Sequence, residues 1–527
     1  MRHRKRLNWI TVLLALFLLT SCTRQPVEPP PDETGEEPPE DPVHTEPAPE
    51  GYAKADSIFS INYSPNASMN PLTGTDYYNE QLFGLLYEGL FALDRNLRPF
   101  PVLCESCTTE DGLSYDMTVK SGVLFHDGSP LTVSDVVYTL NIARGTAKYR
   151  SRLADIESVS ETGEDSFRIT LRRANYSLPS LLDVPILQNG AADELQPTGT
   201  GPYRFSTGRL MAFTSYRDYS SDTLRTIYLK DADDAGLAEA FSDRSVDLVG
   251  YDPTGLHVLN VHMVHETRYY NTTDFLYLGF NCTRGVTADP AVRRTLMSLV
   301  NTETICEDIY DNAVLRSPSI LSPVLDVYDS AWIGDVGYSR QEFTRLCKLC
   351  GLEDADYDGY LEYIPGSGDF KLRMIVNSDS PYKVAAARRI ATDMQNMGLD
   401  LTLDILSWSA YTAALADGDF DLYLGEVRLR ADFDMTPLLT VGGSLNYGKI
   451  NDFLYDTLIE DFLSAPDEAS RANAARNLCQ YVALDVPLVP IAYKQYAVLT
   501  HVGVVSGADP SQSNIFSNIS SWQFNIK

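Results

Sequence analysis

The sequence predicts an exported α/β protein of two or three packed lobes, and three observations carry that expectation. Strand and helix patterns mix along the whole chain, which indicates layered α/β architecture. The length of 527 residues is more than one hydrophobic core usually fills. The first 22 residues read as an export leader. Arg2, Arg4, Lys5 and Arg6 precede an apolar run, Ile10 to Leu19, broken only by Thr11. A run this short fits a secretory h-region better than a membrane span. It ends in Leu19-Thr20-Ser21-Cys22, which looks like a bacterial lipobox, with small residues for the peptidase and a thiol to carry lipid. The plain alternative is an ordinary signal peptide with an incidental Cys22. The lipobox reading makes 1–21 a lipoprotein signal peptide and places the chain on the outer face of the cytoplasmic membrane, at the cell surface or in the periplasm.

Residues 22–53 are expected to form an extended tether. Nine Asp/Glu stand against Arg24 between residues 23 and 50, among many prolines, and such a segment repels itself and cannot bury a core. The net charge of −30 argues against nucleic acid and against anionic lipid surfaces as partners. No later segment is apolar and long enough to span a membrane, so lipid on Cys22 would be the only anchor.

The globular part is expected to begin near Lys54 with a strand through Ser57–Tyr63. Tyr115–Lys120 and Phe167–Leu171 alternate as strands, and Thr132 with Asp135 at N3 forms a capping-box pattern ahead of Val133, Val136, Val137 and Leu140 on one helix face. Gly199-Thr200-Gly201-Pro202-Tyr203-Arg204-Phe205 is a glycine-rich turn entering a strand. No Lys-Ser/Thr follows, so it is not a phosphate cradle. Asp289-Pro290 is an N-cap and N1 pair, with Val292, Leu296, Leu299 and Val300 behind it. Another helix carries Val384, Ala387, Ala391 and Met394 to a stop at Gly398, and Leu399, Leu401, Leu403 and Ile405 alternate with polar residues as a strand.

Chemistry that would mark an enzyme is missing. The sequence holds no GxSxG elbow, HExxH, P-loop or dinucleotide fingerprint. No catalytic residue or cofactor is expected. His257, His262 and His265 fall in a strand-like stretch where 262 and 265 point to opposite faces, against shared metal ligation. Cys104/Cys107 and Cys347/Cys350 have CxxC spacing, but Phe343, Leu346, Cys347 and Cys350 also form a buried helical stripe in which cysteine is a small hydrophobe. With Cys22 lipidated, seven cysteines remain, so at least one is free or paired between chains; a disulfide is an open alternative in an exported protein. Asp354, Asp356 and Asp358 before Gly359 match half a calcium loop. Glu362 stands ninth, but Pro365 occupies the twelfth position where the bidentate Glu belongs, and an acidic surface turn is the competing reading.

Taken together, these motifs resemble bacterial extracellular solute-binding proteins of family 5, the peptide- and nickel-type receptors of ABC importers. The resemblance runs from about residue 55 to the C-terminus. Its most specific stretch runs from Gly112-Leu113-Ser114-Tyr115-Asp116 through Phe125-His126-Asp127-Gly128-Ser129-Pro130 to Leu140, with Tyr115 where a Trp is more usual. Residues 199–205, Leu278-Gly279-Phe280-Asn281, the helix start at Asp289 and Gly418-Asp419-Phe420-Asp421 are similar to further family hallmarks, in family order. The resemblance implies a bilobal, periplasmic-binding-protein-like α/β fold of class II, cluster C type, with an extra domain and a hinged ligand cleft. Domain I would be discontinuous (54–75, 191–280 and 490–527), domain II would span 76–190 and domain III 281–489. Closure would bury the ligand and present the closed form to the permease.

A peptide in such a cleft lies extended, pairs its backbone with strand edges, and needs a carboxylate for its α-amino group. The family places that carboxylate in an Ala-Asp-Tyr-like stretch, and Ala431-Asp432-Phe433 occupies the matching place. Asp432 is therefore the first candidate amine anchor and Asp434 the second, with a solvated acidic loop as the alternative. Trp408, Tyr411 and Tyr423 are candidate aromatic walls, with core packing as the alternative. Asn446 and Tyr447 follow a Gly-Gly turn and are further candidates. The reading is a monomeric, non-enzymatic lipoprotein that captures a small solute, foremost an oligopeptide, and hands it to the transmembrane subunits of an ABC permease. A nickel complex or oligosaccharide on the same scaffold, a peptide-signal receptor and an exported hydrolase are the rivals, because scaffold hallmarks identify the fold better than the cargo.

Overall fold

The computed structural model describes residues 58–255, 259–332, 337–366 and 368–526. The leader with Cys22, the acidic tether and His257 lie outside the described residues. The N-terminal stretch supplies β1 (Phe59–Tyr63), α1 (Tyr77–Leu86), β2 (Cys104–Thr108), β3 (Ser114–Val119), α2 (Val133–Ala143), β4 (Ile156–Glu161), β5 (Ser166–Leu171), β6 (Tyr203–Ser206), β7 (Arg209–Ala212), β8 (Thr226–Asp231) and β9 (Leu248–Tyr251). Then come β10 (His265–Phe280), α3 (Pro290–Met297), β11 (Val314–Arg316), α4 (Arg340–Cys350), β12 (Leu372–Asn377), α5 (Pro381–Gln395), β13 (Leu401–Leu406), α6 (Trp408–Asp417), β14 (Leu422–Arg428) and β15 (Leu488–His501).

Local sequence explains several of these boundaries. Asp135 accepts from the Thr132 amide at 2.8 Å and from its hydroxyl at 2.7 Å, which holds the first turn of α2. Val133, Val136 and Leu140 of α2 are buried. Asp289 caps α3 by accepting from Ala291 N at 2.8 Å, with Pro290 at the first helical position. Phe343, Cys347 and Cys350 form the buried stripe of α4, and all seven described cysteines are free thiols. Residues 259–264 have no regular structure, so the strand-like reading of that stretch holds only from His265 onward. Leu399 and Leu401 are buried, but Ile405 is exposed near the far end of β13, an edge strand.

Two sheets result. β2, β3, β5 and β4 form a four-stranded antiparallel sheet in that order. The larger sheet runs β13-β12-β14-β10-β15-β9-β1-β8-β7-β6, with β11 added on β15. Gly199 and Gly201 let the turn before β6 pass against the end of α1. A Cβ on Gly199 would lie 2.0 Å from the Leu86 carbonyl oxygen, and one on Gly201 would lie 2.6 Å from that of Leu85.

The long antiparallel pair β10 and β15 belongs to more than one core. The core around Phe59, Ile61, Tyr203 and Ile227 takes Tyr270 and Val498 from these strands. The cores around Val292 and Met374, and around Tyr411 and Phe420, take Phe275 onward from β10 and the part of β15 up to Tyr493. The change of core coincides with a register shift between Asn271 and Phe275. Such an irregularity bends the ladder and frees side chains to point elsewhere. This is the level at which a site between the two halves of the sheet is positioned.

Candidate functional site

Charged side chains gather at that level, where β10 passes from a mostly polar stretch, His265–Asp274, to an apolar one, Phe275–Phe280. Asp274 on β10 lies directly opposite Arg428 on β14 in the ladder. Arg428 donates to Asp274 through Nε at 2.7 Å and Nη2 at 3.0 Å. The Tyr496 hydroxyl donates to Asp274 Oδ2 at 2.7 Å, and the Arg428 guanidinium stands 5.7 Å from the Tyr496 ring centroid. Lys494, on the same strand as Tyr496, pairs with Asp252 just beyond β9 and lies 3.4 Å from Glu426. Lys383 of α5 closes the chain at 3.2 Å from the other oxygen of Glu426. Three carboxylates and three cations thus form two adjoining groups, neutral in sum and drawn from five elements or their ends, with Lys494 Nζ 5.7 Å from the Tyr496 ring centroid where they meet.

Burial decides what each group does. Burial works against the Asp274 carboxylate, but Arg428, Tyr496 and Lys494 outweigh it and hold the carboxyl below its ordinary range. Burial likewise works against the charge on Lys494, which is 4% exposed, and Glu426 with Asp252 keeps it cationic. Burial pushes the phenols of Tyr77, Tyr270 and Tyr496 up, so they remain protonated donors. Arg428 differs: its side chain keeps 54% of its accessible surface although it is tied to a buried carboxylate. Tyr77 at the start of α1 is 43% exposed and lies in the field of both Asp252 and Arg428. Asp76 caps α1 by accepting from Tyr78 N at 3.1 Å and Asn79 N at 2.9 Å, and Gln81 ties the helix to Gly250 O at 3.0 Å. Buried charges beneath open polar tips make this network a candidate surface for a ligand with charged ends.

The residues expected from sequence fall elsewhere, in three groups. Asp432 and Asp434 come together in a buried ionic cluster. Asp432 is fully buried, 2.6 Å from Arg430 Nη2, and accepts from Asn175 Nδ2 at 2.8 Å. Asp434 pairs with Arg173 and accepts from Thr436 N at 3.0 Å. Asp155 joins both arginines, at 3.0 Å from Arg173 and 2.8 Å from Arg430. The aromatic candidates form a second group: Tyr411 and Tyr423 are buried, and Tyr423 meets Tyr447 edge-on at 6.4 Å. Trp408, at the start of α6, is 58% exposed and 6.2 Å from Tyr411. Asn446 pins its own turn, donating to Thr440 O and Ile450 O at 2.9 Å each. Since Tyr411 Oη donates to Leu424 O at 2.8 Å, Tyr411→Phe should cost about 1 kcal/mol of stability in urea unfolding and leave ligand affinity unchanged. A fall in affinity would return Tyr411 to the binding site.

Third, the ligand oxygens of Asp354, Asp356, Asp358 and Glu362 lie within 4.8 Å of one another. Glu362 reaches the group because it sits on a short returning strand paired with Leu352–Glu353. Asp356 and Asp358 are exposed, as an acidic surface turn would leave them.

Tyr77, Asp252, Asp274, Glu426, Arg428 and Lys494, which form this network, were not among the residues expected from sequence. One signal was present, since Lys494 follows the largely apolar run Leu488–Tyr493, where charge is seldom buried without a partner.

Comparison with known proteins identifies the scaffold that carries this network. The model for bacterial extracellular solute-binding proteins, family 5 (middle), matches residues 98–448. The chain is 24% identical to the oligopeptide-binding protein AppA of Bacillus subtilis (strain 168), over 80% of this chain and 83% of AppA. The structure of Bacillus subtilis AppA in complex with a nonapeptide superposes with a TM-score of 0.64 at 20% identity, covering 90% of this chain and 99% of that one. The ABC transporter substrate-binding protein CtaP from Listeria monocytogenes gives a TM-score of 0.73 at 18% identity, covering 90% and 100%. NikZ from Campylobacter jejuni, in complex with Ni(L-His), gives 0.65 at 18%, covering 89% and 99%. These structures share the bilobal periplasmic-binding-protein fold, mixed α/β around a large central sheet. With a match that spans most of its length, the chain belongs to the bacterial extracellular solute-binding proteins of family 5.

Proposed function

We propose that this protein captures a short peptide in the cleft over β10, β14 and β15 and delivers it to an ABC permease. One observation carries the reading: the network is charge-balanced and holds an open cation, Arg428, on Asp274, beside carboxylates at Asp252 and Glu426 that pair with Lys494 and Lys383. A peptide has the same two-ended charge, and each end finds its counterpart there. The oligopeptide-binding character of AppA supports this choice of cargo. Closure would turn on β10 and β15 between domain I (54–75, 191–280, 490–527) with domain II (76–190) on one side and domain III (281–489) on the other. The change of hydrophobic core between residues 271 and 275 and between residues 493 and 496 supports a division close to, though not at, those bounds. Lipid on Cys22 would hold the protein at the outer face of the membrane, with residues 22–53 as the tether, and it would act there as a monomer without catalysis.

The test is native mass spectrometry of the chain from residue 48 onward, which forms one unit, purified without refolding. Peptides of similar length and mixed sequence released on denaturation would support the reading. A nickel complex or a sugar in their place would keep the scaffold and overturn the cargo.

A further inference from the structure

We infer that the hairpin from Phe91 to Pro101 is a latch between the two lobes: its tip residue, Leu97, plugs the hydrophobic core of the opposite lobe, and every opening of the protein withdraws it. The inference rests on closure about β10 and β15 as proposed above and is independent of the cargo.

Core membership supplies the first reason. The buried members of the core around Phe59 and Tyr203 lie at residues up to Tyr270 and from Val498 onward. Those of the cores around Met374 and Phe420 lie between Phe275 and Tyr493. Among the described residues, Leu97 is the exception. It is 2% exposed and sits in the core of Tyr411 and Phe420, whose other buried members all lie at residue 275 or beyond. The base of its hairpin stays with the first body, since Phe91, paired with Pro101, belongs to the core around Phe59. One short hairpin thus reaches from one hydrophobic core into another.

Conformation supplies the second reason. Leu97 has φ 63°, in the left-handed region where a Cβ is disfavoured. The turn itself needs no leucine. Asp94 builds it by accepting from the Asn96 amide at 2.8 Å and the Arg98 amide at 2.9 Å, and glycine would adopt the same backbone with less strain. The apolar side chain is explained by where it goes: burial in the far core offsets the strain. The neighbours of Leu97 are tied to the same divide. Arg98 pairs with Asp326, and Asn271, at the register shift of β10, donates to Arg95 O at 2.8 Å.

The other contacts between the bodies are hydrogen bonds. Asn175 donates to Asp432 at 2.8 Å, Arg173 to Thr436 at 3.0 Å and the Tyr176 amide to Leu463 O at 2.9 Å. Such bonds exchange protein partners for water at small net cost when the lobes part. Withdrawing Leu97 exposes its side chain and leaves a hole behind it, so the plug governs the ease of opening. All these groups belong to the chain. The latch therefore engages with or without cargo and slows entry and exit alike.

Hydrogen exchange in the mature protein tests this at the Tyr176 amide, whose bond crosses the divide. Leu97→Gly relaxes the turn and removes only the plug. It should speed Tyr176 exchange by at least about 10-fold, a fraction of what truncating a core leucine usually costs. The amides of α2 and β5 should exchange as in the wild-type protein. Leu97→Met, which conserves volume, should stay much closer to wild type. With trialanine and pentaalanine as probes, Leu97→Gly should quicken association and dissociation by a like factor and leave Kd nearly unchanged, because the empty and filled closed forms are weakened together. Unchanged exchange at Tyr176 would overturn the latch. Equal acceleration at α2 and β5 would also overturn it and assign Leu97 to overall stability. Faster dissociation alone would overturn it in favour of a direct contact with the cargo. If neither peptide binds the wild-type protein, the peptide reading fails, and the exchange rates still decide the latch.

Discussion

Asp432→Ala is expected to lower the unfolding free energy by about 3–5 kcal/mol, the usual cost of removing one partner from a buried ion pair. The carboxylate is fully buried and serves Arg430 twice, at 3.2 Å to Oδ1 and 2.6 Å to Oδ2, as well as the Asn175 amide. Arg430 is itself largely buried and keeps only Asp155 and Asp434 once Asp432 is gone. Asn175 keeps no partner for the amide hydrogen it donates. The cluster also ties chain positions far apart, because Arg173 donates to Thr436 at 3.0 Å and the Tyr176 amide donates to Leu463 O at 2.9 Å. Loss of Asp432 should therefore loosen the contact between the segment around residues 173–176 and the segment after β14. Asp432→Asn, which keeps the shape and an acceptor, should cost less than the alanine variant. Urea midpoints for both, with peptide affinity measured in parallel, separate two roles. If Asp432→Ala leaves the midpoint unchanged and abolishes binding, Asp432 is the amine anchor that its sequence context suggested. A large stability loss with affinity retained in the folded fraction assigns it to the cluster.

Why the fold was legible and the cleft was not follows from where each residue finds its partner. Thr132 and Asp135 are three residues apart, Asp289 caps the helix that follows it, and the stripe Phe343, Cys347 and Cys350 repeats every turn. Such patterns are written locally and survive without knowledge of the tertiary structure. Arg428 meets Asp274 only because β14 and β10 pair in one register, and Lys494 meets Asp252 across 242 positions. A slip of one residue would turn every side chain of a strand to the other face, so no spacing rule could have joined them. Asp432 was a partial case. Its acidic context was readable, but Asn175, 257 residues away, changes what the carboxylate does. Long strands shared by several cores also blur a boundary, since β10 and β15 run on through the polar stretches Asn271–Asp274 and Lys494–Gln495 where the packing changes hands.

A second large effect is expected in mild acid. His126, in the loop before α2, is hydrogen-bonded at 3.0 Å between Nε2 and the Gly201 carbonyl and packs edge-on against Phe213 at 5.2 Å. The carbonyl can only accept, so Nε2 carries the hydrogen. Burial pushes the imidazole down to about 4, with Arg204 adding to the shift and the Gly201 carbonyl and Asp127 opposing it. In the unfolded chain the group titrates near its ordinary value of about 6.5. Above that pH both states are neutral and His126 contributes nothing to the pH dependence. Between about 6.5 and 4 the unfolded chain takes up a proton that the folded protein refuses, so stability falls as the pH falls; below about 4 the loss levels off. At about 1.4 kcal/mol per pH unit the loss amounts to roughly 3.5 kcal/mol across the window. The carboxyls of Asp155 and Asp274 are held below their ordinary range and contribute losses at still lower pH, so the two sources separate. Urea unfolding at pH 7 and pH 4.5 should show most of this loss in the wild-type protein and much less in His126→Gln, which can still donate to Gly201. An equal loss in both proteins would place the acid sensitivity elsewhere.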